Sequence, residues 1–500
     1  MEISAERYAD WKAPRADGEV LIWPSGDELI RQTRDNTRRL SSEDKSRVQG
    51  VALGELRGQM RRFIGHDDSS PLVGTGHQTE LAHPGVWVKN VLINRIAEAA
   101  GGQSYLFAVD TDEPKHLNLR WPGMSLPITD DPRMTSASWS GQLAPPTPEH
   151  LSTIESTLDA AQQGWNFRLA AGGFIHSMRR LSLEAETLAP TLVNALHELD
   201  WSLGLRHHAL VVSPMFQAEP YLLFVHHLMA RADEVATNYN QVLAEYRREQ
   251  GIRTPGRPMP DLRVMGERIE SPFWVDDLSA GDRVRASLKK TAGGWSLTSI
   301  SGDEFVFAIN TPPEEAASRL LTWLRRNNLR ISTRALTLTT FLRLFLADQF
   351  VHGIGGGRYD QVADRFIQKQ FGIQPPYFSV TTGTLFFPTA IGHQRVCIPC
   401  LLQEGHRAHH AAMGKEKQGF IERIGALPRR SLDRRMAFGE MHRRLKDAAE
   451  PTLARWDVRM REARQRAAEE EILFDRELFY AIQPRDRLEM LLSRYADALS

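Results

Sequence analysis

Three short segments carry residue types able to do chemistry, and each stands where a buried strand or an apolar helix gives out. The first is Gly74-Thr75-Gly76-His77-Gln78-Thr79. Its glycines let backbone N–H groups approach an anionic or nucleotide ligand, and Thr75, His77 and Gln78 add side-chain hydrogen bonds. Thr79 stands where a G-x-G-x-x-G fingerprint has its last glycine, so a tight turn without a ligand is the competing reading. Lys89, early in the next helix, can reach this loop to neutralise a phosphate or carboxylate, or can lie on the surface in water. The second segment is Asp110-Thr111-Asp112-Glu113, directly after an apolar run ending at Val109, with His116 further on. Carboxylates at i and i+2 beyond a strand end suit a general base or a D-x-D site for a divalent metal on a nucleotide; caps and solvated loops also place aspartates there.

The third segment is His352-Gly353-Ile354-Gly355-Gly356-Gly357-Arg358-Tyr359-Asp360. Glycine at four of five successive positions costs backbone entropy that a passive connection does not need. A loop that moves or closely approaches a ligand is expected here, with Gly353, Gly355, Gly356, Gly357, Arg358 and Tyr359 as contacts; a plain short linker is the alternative. Other clusters carry less. Cys397 and Cys400 precede His406, His409 and His410 at spacings too short for a zinc finger, so they read as bystanders on a helix, and no metal site is assigned. The pairs His207-His208 and His226-His227 read as structural, and Arg434, Arg435, Arg443, Arg444 and Lys446 as a solvated helix face.

The elements that must position these segments follow from periodicity. Leu72-Val73-Gly74 reads as a buried strand, Val88, Val91, Leu92 and Ile96 recur at helical spacing, and Tyr105 to Val109 is a second strand. That is a β-loop-α-β unit and implies a parallel pair with a right-handed crossover. Residues 148–249 read as helical apart from a strand at Ala209 to Val212, and alternation over residues 262–310 predicts a small antiparallel β insertion. Leu336 to Phe350 reads as an apolar helix ending at Gly353, and Tyr377 to Phe387 returns to strand composition.

Past residue 400 helices dominate. Phe438, Met441, Leu445, Ala449, Leu453, Trp456 and Met460 step by three or four, a coiled-coil seam, and Met413, Phe420, Ile424 and Leu427 form an antiparallel partner stripe. Pro451 is expected to kink that helix or mark its restart. The reading is therefore an α/β protein: a Rossmann-like parallel-sheet core with a small antiparallel β insertion and a C-terminal antiparallel helical coiled-coil arm. Its parts are a helical lead-in at residues 1–65, the core at 66–400 with the insertion at 262–310, the arm at 401–475, and a segment returning to the core at 476–500.

Composition narrows the functional classes. Lys plus Arg and Asp plus Glu both total 62, so no net field draws the molecule to nucleic acid or anionic lipid. The most apolar windows, Tyr221 to Val225 and Leu336 to Val351, are interrupted by His226, Arg343 and Asp348, and the N-terminus has no secretory pattern. Two cysteines are too few for a disulfide framework. A cytoplasmic protein with no nucleic-acid and no membrane partner is expected.

Taken in order, the segments resemble the cysteine-adding ligase family of bacillithiol synthesis. That family has a TGQQ-type loop, a G-P-L-x-x-x-x-K stretch, an E-D-H-D-type strand end, and a G-P-G-E-x-x-Y loop before F-G-x-x-x-P and a long coiled coil. Here the corresponding text is Thr75-Gly76-His77-Gln78, His83-Pro84-Gly85 with Lys89, Asp110-Thr111-Asp112, and Gly353 to Tyr359 followed by Phe371-Gly372 and Pro375-Pro376. Residues 71–118 and 333–390 carry the detailed similarity. His77 replaces a glutamine, Thr111 a histidine and Gly356 a glutamate, and the insertion at 262–310 is foreign to the pattern.

The resemblance implies a ligase forming a carbon–nitrogen amide bond between cysteine and the amino sugar of a glucosamine-malate conjugate, or a divergent member acting on another amine. Such a step needs a deprotonated amine, an activated carboxyl and an anion held still. On this reading Asp110 or Asp112 binds or deprotonates the amine, His77 and Gln78 orient the acyl group, and Lys89 with the two glycine segments holds anions. ATP is the candidate activating cofactor, and the arm implies a homodimer. The rivals are a metal-dependent nucleotide-sugar transferase using Asp110 and Asp112, and a non-catalytic coiled-coil scaffold.

Overall fold

The computed structural model describes residues 11–67, 69–390, 392 and 395–498. Its two compact units divide as residues up to Arg120 with Ser125–Leu385 and the chain from Arg476, against Trp121–Met124 with Phe386–Asp475.

The first unit is mixed α/β. In chain order its main elements are β1 (Val20–Trp23), α1 (Gly26–Ser41), α2 (Leu53–Phe63), β2 (Leu72–Gln78), α3 (Pro84–Ala100), β3 (Gln103–Val109), α4 (Pro148–Gln162), α5 (Ala171–Leu181), α6 (Leu188–Ser202), β4 (His208–Val211), α7 (Glu219–Ala230) and α8 (Ala232–Glu249). Then come β5 (Val264–Met265), β6 (Arg268–Asp277), β7 (Arg283–Thr291), β8 (Gly294–Thr298), β9 (Glu304–Phe307), α9 (Pro313–Arg326), β10 (Leu329–Thr333), α10 (Ala335–Phe345), β11 (Gln349–His352), α11 (Ile354–Phe371) and β12 (Phe378–Gly383).

One six-stranded sheet has the order β1-β12-β11-β2-β3-β4, all parallel except the edge strand β1. From β2 the chain steps to β3 and β4 in one direction, then returns to β11 on the other side of β2 and steps outward to β12. The order therefore reverses between β2 and β11, and in open parallel sheets such a switch point opens a crevice at the carboxyl ends of the strands. Right-handed crossovers place α3 and α11 on opposite faces, because the two steps run in opposite directions. Gly74 permits the close β2–β3 pairing: a Cβ there would lie 2.9 Å from the Phe107 ring.

The start of β2 is fixed by a buried ionic knot. Asp348, fully buried, takes Arg57 Nη2 at 2.6 Å on one oxygen, and Arg61 Nη2 and the Leu72 N–H at 2.7 Å each on the other. Arg57 and Arg61 lie in the stretch that reads as a helical lead-in, yet both are buried, bonded to Asp348 and to the Leu344 and Leu346 carbonyls. The apolar run predicted as one helix to Phe350 is divided by the same residue: the helix stops at Phe345, and Gln349–His352 is a strand. The glycine-rich segment, expected as a loop, is instead the first turn of α11, with Gly353 as N-cap.

The antiparallel sheet holds β9-β8-β7-β6-β10 with β5 beside β6. It extends past residue 310, because Leu329–Thr333 pairs with Phe273–Asp277 after α9.

The second unit contains α12 (Ile398–Ala411), α13 (Lys415–Ala426) and α14 (Leu432–Glu471). Met413, Phe420, Ile424, Ala437, Met441 and Leu445 form its apolar seam. Phe438, predicted in that seam, is exposed, and Ala437 takes its place. Farther along, α14 packs on α12: Trp456 Nε1 donates to the Leu401 carbonyl at 3.0 Å, and a Cβ on Gly405 would collide with its indole. The helix runs through Pro451 without interruption. Cys397 and Cys400, read as bystanders, form a disulfide. Among the described residues no helix is long and apolar enough to cross a membrane.

Candidate functional site

The three segments meet on one edge of the sheet. His77 and Gln78 pair in register with Ala108 and Val109, so Asp110 to Asp112 begin where β3 ends beside them. On the other side Thr75 pairs with Val351, which brings His352 and Gly353 one strand spacing, about 4.8 Å, from Gly76 and His77. All three thus lie at the carboxyl ends of β3, β2 and β11, across the switch point.

Their side chains divide into anchors and available groups. Thr75 is fully buried and its hydroxyl donates to the Val351 carbonyl at 2.7 Å, tying β2 to β11. Asp110 is engaged on the β4 side: its oxygens accept from the Ser213 N–H at 3.0 Å and the Ser213 hydroxyl at 2.5 Å. Burial raises its pKa, opposed by those Ser213 hydrogen bonds. Asp112 is only half-buried and accepts from Gln78 Nε2 at 2.9 Å, so the first and second segments are bonded directly. A cleft of about 410 Å³ opens beside this strand end, lined by Glu113, Pro114, Trp274, Arg283 and residues 134–138. Its Arg283 is aimed by Asp276 at 2.7 Å and by the Thr111 carbonyl at 2.6 Å.

Lys89 is buried, and its Nζ donates to the Gly76 carbonyl at 2.8 Å. Its main charged neighbour is Glu80, whose Oε1 lies 3.4 Å from His77 Nε2 and whose Oε2 is buried without a hydrogen-bond partner. Burial brings the Lys89 ammonium down to about 7 and lifts the Glu80 carboxyl to about 7. Desolvation, followed by the charge of Lys89, holds His77 well below the ordinary histidine value, so its imidazole is neutral near pH 7. Burial thus shifts a carboxyl and an ammonium toward each other beside a neutral imidazole.

The start of α11 supplies a second group. His352 ends β11 and is buried; its Nε2 lies 2.9 Å from Asp360 Oδ2, and Asp360 in turn receives Arg343 Nη1 at 2.5 Å. Gly353 and Gly355 have open space where a side chain would stand, so their backbone is accessible at a helix N-terminus, where anions are favoured. Gly357 is glycine for packing, since a Cβ would lie 2.4 Å from Val380 and 2.9 Å from Trp11. Arg358 donates to the Trp11 carbonyl at 2.8 Å, and Tyr359 is exposed.

A second helix start faces the carboxyl end of β12. His83 caps α3 by accepting the Gly85 N–H, and a Cβ on Gly85 would fall 2.7 Å from Thr382 and 2.8 Å from Arg476. No family model and no curated protein matches this chain.

Sequence reasoning did not name Glu80 or Arg476, and it gave Asp360 and Arg343 no role in the site. A signal existed for the last two: Arg343 and Asp360 are charged residues on the apolar faces of two helices, a pattern that calls for a buried partner. Among the described residues no group of three or more His, Cys, Asp or Glu is gathered to hold a metal ion.

Proposed function

We propose that this chain is an amide-forming ligase of the kind its motifs resemble, joining the carboxyl of cysteine to the amine of an amino-sugar conjugate bearing an anionic substituent. One observation carries the reading: three segments, the third more than two hundred residues beyond the first two, each similar to a motif of that family and in the same order, meet at the reversal point of one parallel sheet. In this reading the unit is Rossmann-like.

The residues divide the work as follows. The open N-terminal turn of α11 at Gly353 and Gly355 holds the anionic substituent, and Arg476 beside the start of α3 holds a second carboxylate or phosphate. Gln78, bonded to Asp112, orients the acyl group with His77. The amine nitrogen attacks the activated acyl carbon, the leaving group departs, and the proton on nitrogen passes to His352 or Asp112. Asp110 keeps the strand end in shape through Ser213 and does not take the proton. ATP is the proposed activating co-substrate. The helices α12 to α14 form a coiled-coil arm, and exposed Ile421, Leu432, Met436 and Phe438 are proposed to join two copies in a cytoplasmic homodimer.

The test is incubation of the purified chain with cysteine and glucosamine-malate, with and without ATP, followed by mass spectrometry. The expected product weighs the sum of the two substrates less one water and is lost in the His352→Ala variant. Absence of product with folded protein under both conditions rejects this substrate pair.

A further inference from the structure

The cysteine pair that opens α12 lies outside the proposed ligase site and has the arrangement of a dithiol that exchanges. These two are the only cysteines of the chain. They are bonded to each other, and both residues are exposed. Cys397 is the N-cap of a 14-residue helix, Pro399 occupies its first turn, and Cys397 Sγ accepts the Cys400 N–H at 3.2 Å. Sulfur at that position receives both a backbone donor and the positive end of the helix dipole, and both favour the thiolate. Cys400, three residues on, is exposed and one turn deeper in the helix.

A structural role gives a poor account of this bond. Disulfides stabilise mainly by closing long loops in the unfolded chain, and this one closes a span of three residues whose geometry the first helical turn already fixes. With no third cysteine in the chain, reduction and reoxidation need a partner from outside.

We propose that Cys397 and Cys400 form a thiol–disulfide exchange site for low-molecular-weight disulfides. The Cys397 thiolate attacks one sulfur of a small disulfide RS–SR, forming a Cys397–SR mixed disulfide and releasing RS⁻. The Cys400 thiol gives its proton to solvent and its sulfur attacks Cys397 Sγ, closing the protein disulfide and releasing a second RS⁻. Two electrons pass from the dithiol to the small disulfide, which leaves as two thiols once protonated. The exposed helix start admits such a molecule to Cys397 while keeping Cys400 within one turn to resolve it.

The test uses the full chain, reduced and freed of reductant, with glutathione disulfide as the probe. Wild type is expected to lose both thiols together and carry no adduct, whereas Cys400→Ser accumulates one glutathionyl adduct on residue 397. Cys397→Ser should form its adduct on residue 400 about ten-fold more slowly at pH 6.5, and alkylation of Cys397 should reach half its maximum at least about one pH unit below the ordinary thiol value of about 8.5. Equal adduct rates in the two variants, with both thiols titrating at the ordinary value, overturn the proposal. So does wild type that retains a stable mixed disulfide.

Discussion

His352 Nε2 lies 2.9 Å from Asp360 Oδ2, and the same oxygen receives Arg343 Nη1 at 2.5 Å. Burial works against the charge on Asp360, but Arg343 and His352 outweigh it and hold the carboxyl below its ordinary value. An ionised carboxylate can only accept, so it is Nε2–H that His352 presents to Asp360. The other ring nitrogen, Nδ1, faces the first turn of α11, where a Cβ on Gly356 would come within 3.0 Å of it. The imidazole is thereby held in one orientation, with Nδ1 toward the proposed anion-holding turn.

Asp360→Asn tests that arrangement. The amide can accept through its oxygen but no longer stabilises a protonated imidazole, so kcat for amide formation should fall on the order of 10²–10⁴-fold with KM little changed. Circular dichroism and the unfolding midpoint separate this from collapse, since Arg343 keeps its 2.7 Å pair with Asp364. A variant that folds and turns over at the wild-type rate removes His352 from the chemistry.

Gly355 and Gly357 make opposite predictions two residues apart. Alanine at 357 must push against Val380 and Trp11, and should cost about 1–3 kcal/mol in chemical denaturation. Alanine at 355 meets open space in a helical turn and should leave stability unchanged or raise it by about 0.5 kcal/mol. If the backbone there receives the anionic substituent, Gly355→Ala should nonetheless raise KM several-fold. Unchanged KM would show that the glycine serves only the fold.

Much of this edge was legible from residue spacing, and the failures share a cause. The segments at Gly74, Asp110 and Gly353 stand out because glycine and aspartate interrupt apolar runs, and periodicity alone gave β2, α3, β3 and β4. Strand β11 was hidden because only Asp348 and Gln349 interrupt the apolar run from Phe345 to Val351; what ends the helix is the buried Asp348, whose partners Arg57 and Arg61 lie almost three hundred residues away. The glycine run was read as a loop that moves or closely approaches a ligand because glycine costs backbone entropy, yet it forms a helical turn in which Gly357 must pass close to Val380. Glu80 carried no signal, since a lone glutamate after a turn looks solvated until Lys89 and His77 are placed beside it.

Glu80 and Lys89 should leave a mark on stability that depends on pH. Glu80 has its carboxyl lifted from 4.5 to about 7, so between those values the unfolded chain has lost a proton that the folded chain keeps, and stability falls as pH rises. Lys89 is lowered from 10.5 to about 7, so above pH 7 the unfolded chain holds the extra proton and stability rises again. Each limb has a limiting slope of about 1.4 kcal/mol per pH unit. Urea unfolding at pH 5, 7 and 9 should show Glu80→Gln gaining on wild type from pH 5 to 7, and Lys89→Met losing ground to wild type from pH 7 to 9. Removing Glu80 also deprives Lys89 of the charge that raises its pKa, so in Glu80→Gln the rising limb should begin below pH 7. Differences flat across all three pH values would mean that the two groups share a single proton as a fixed pair.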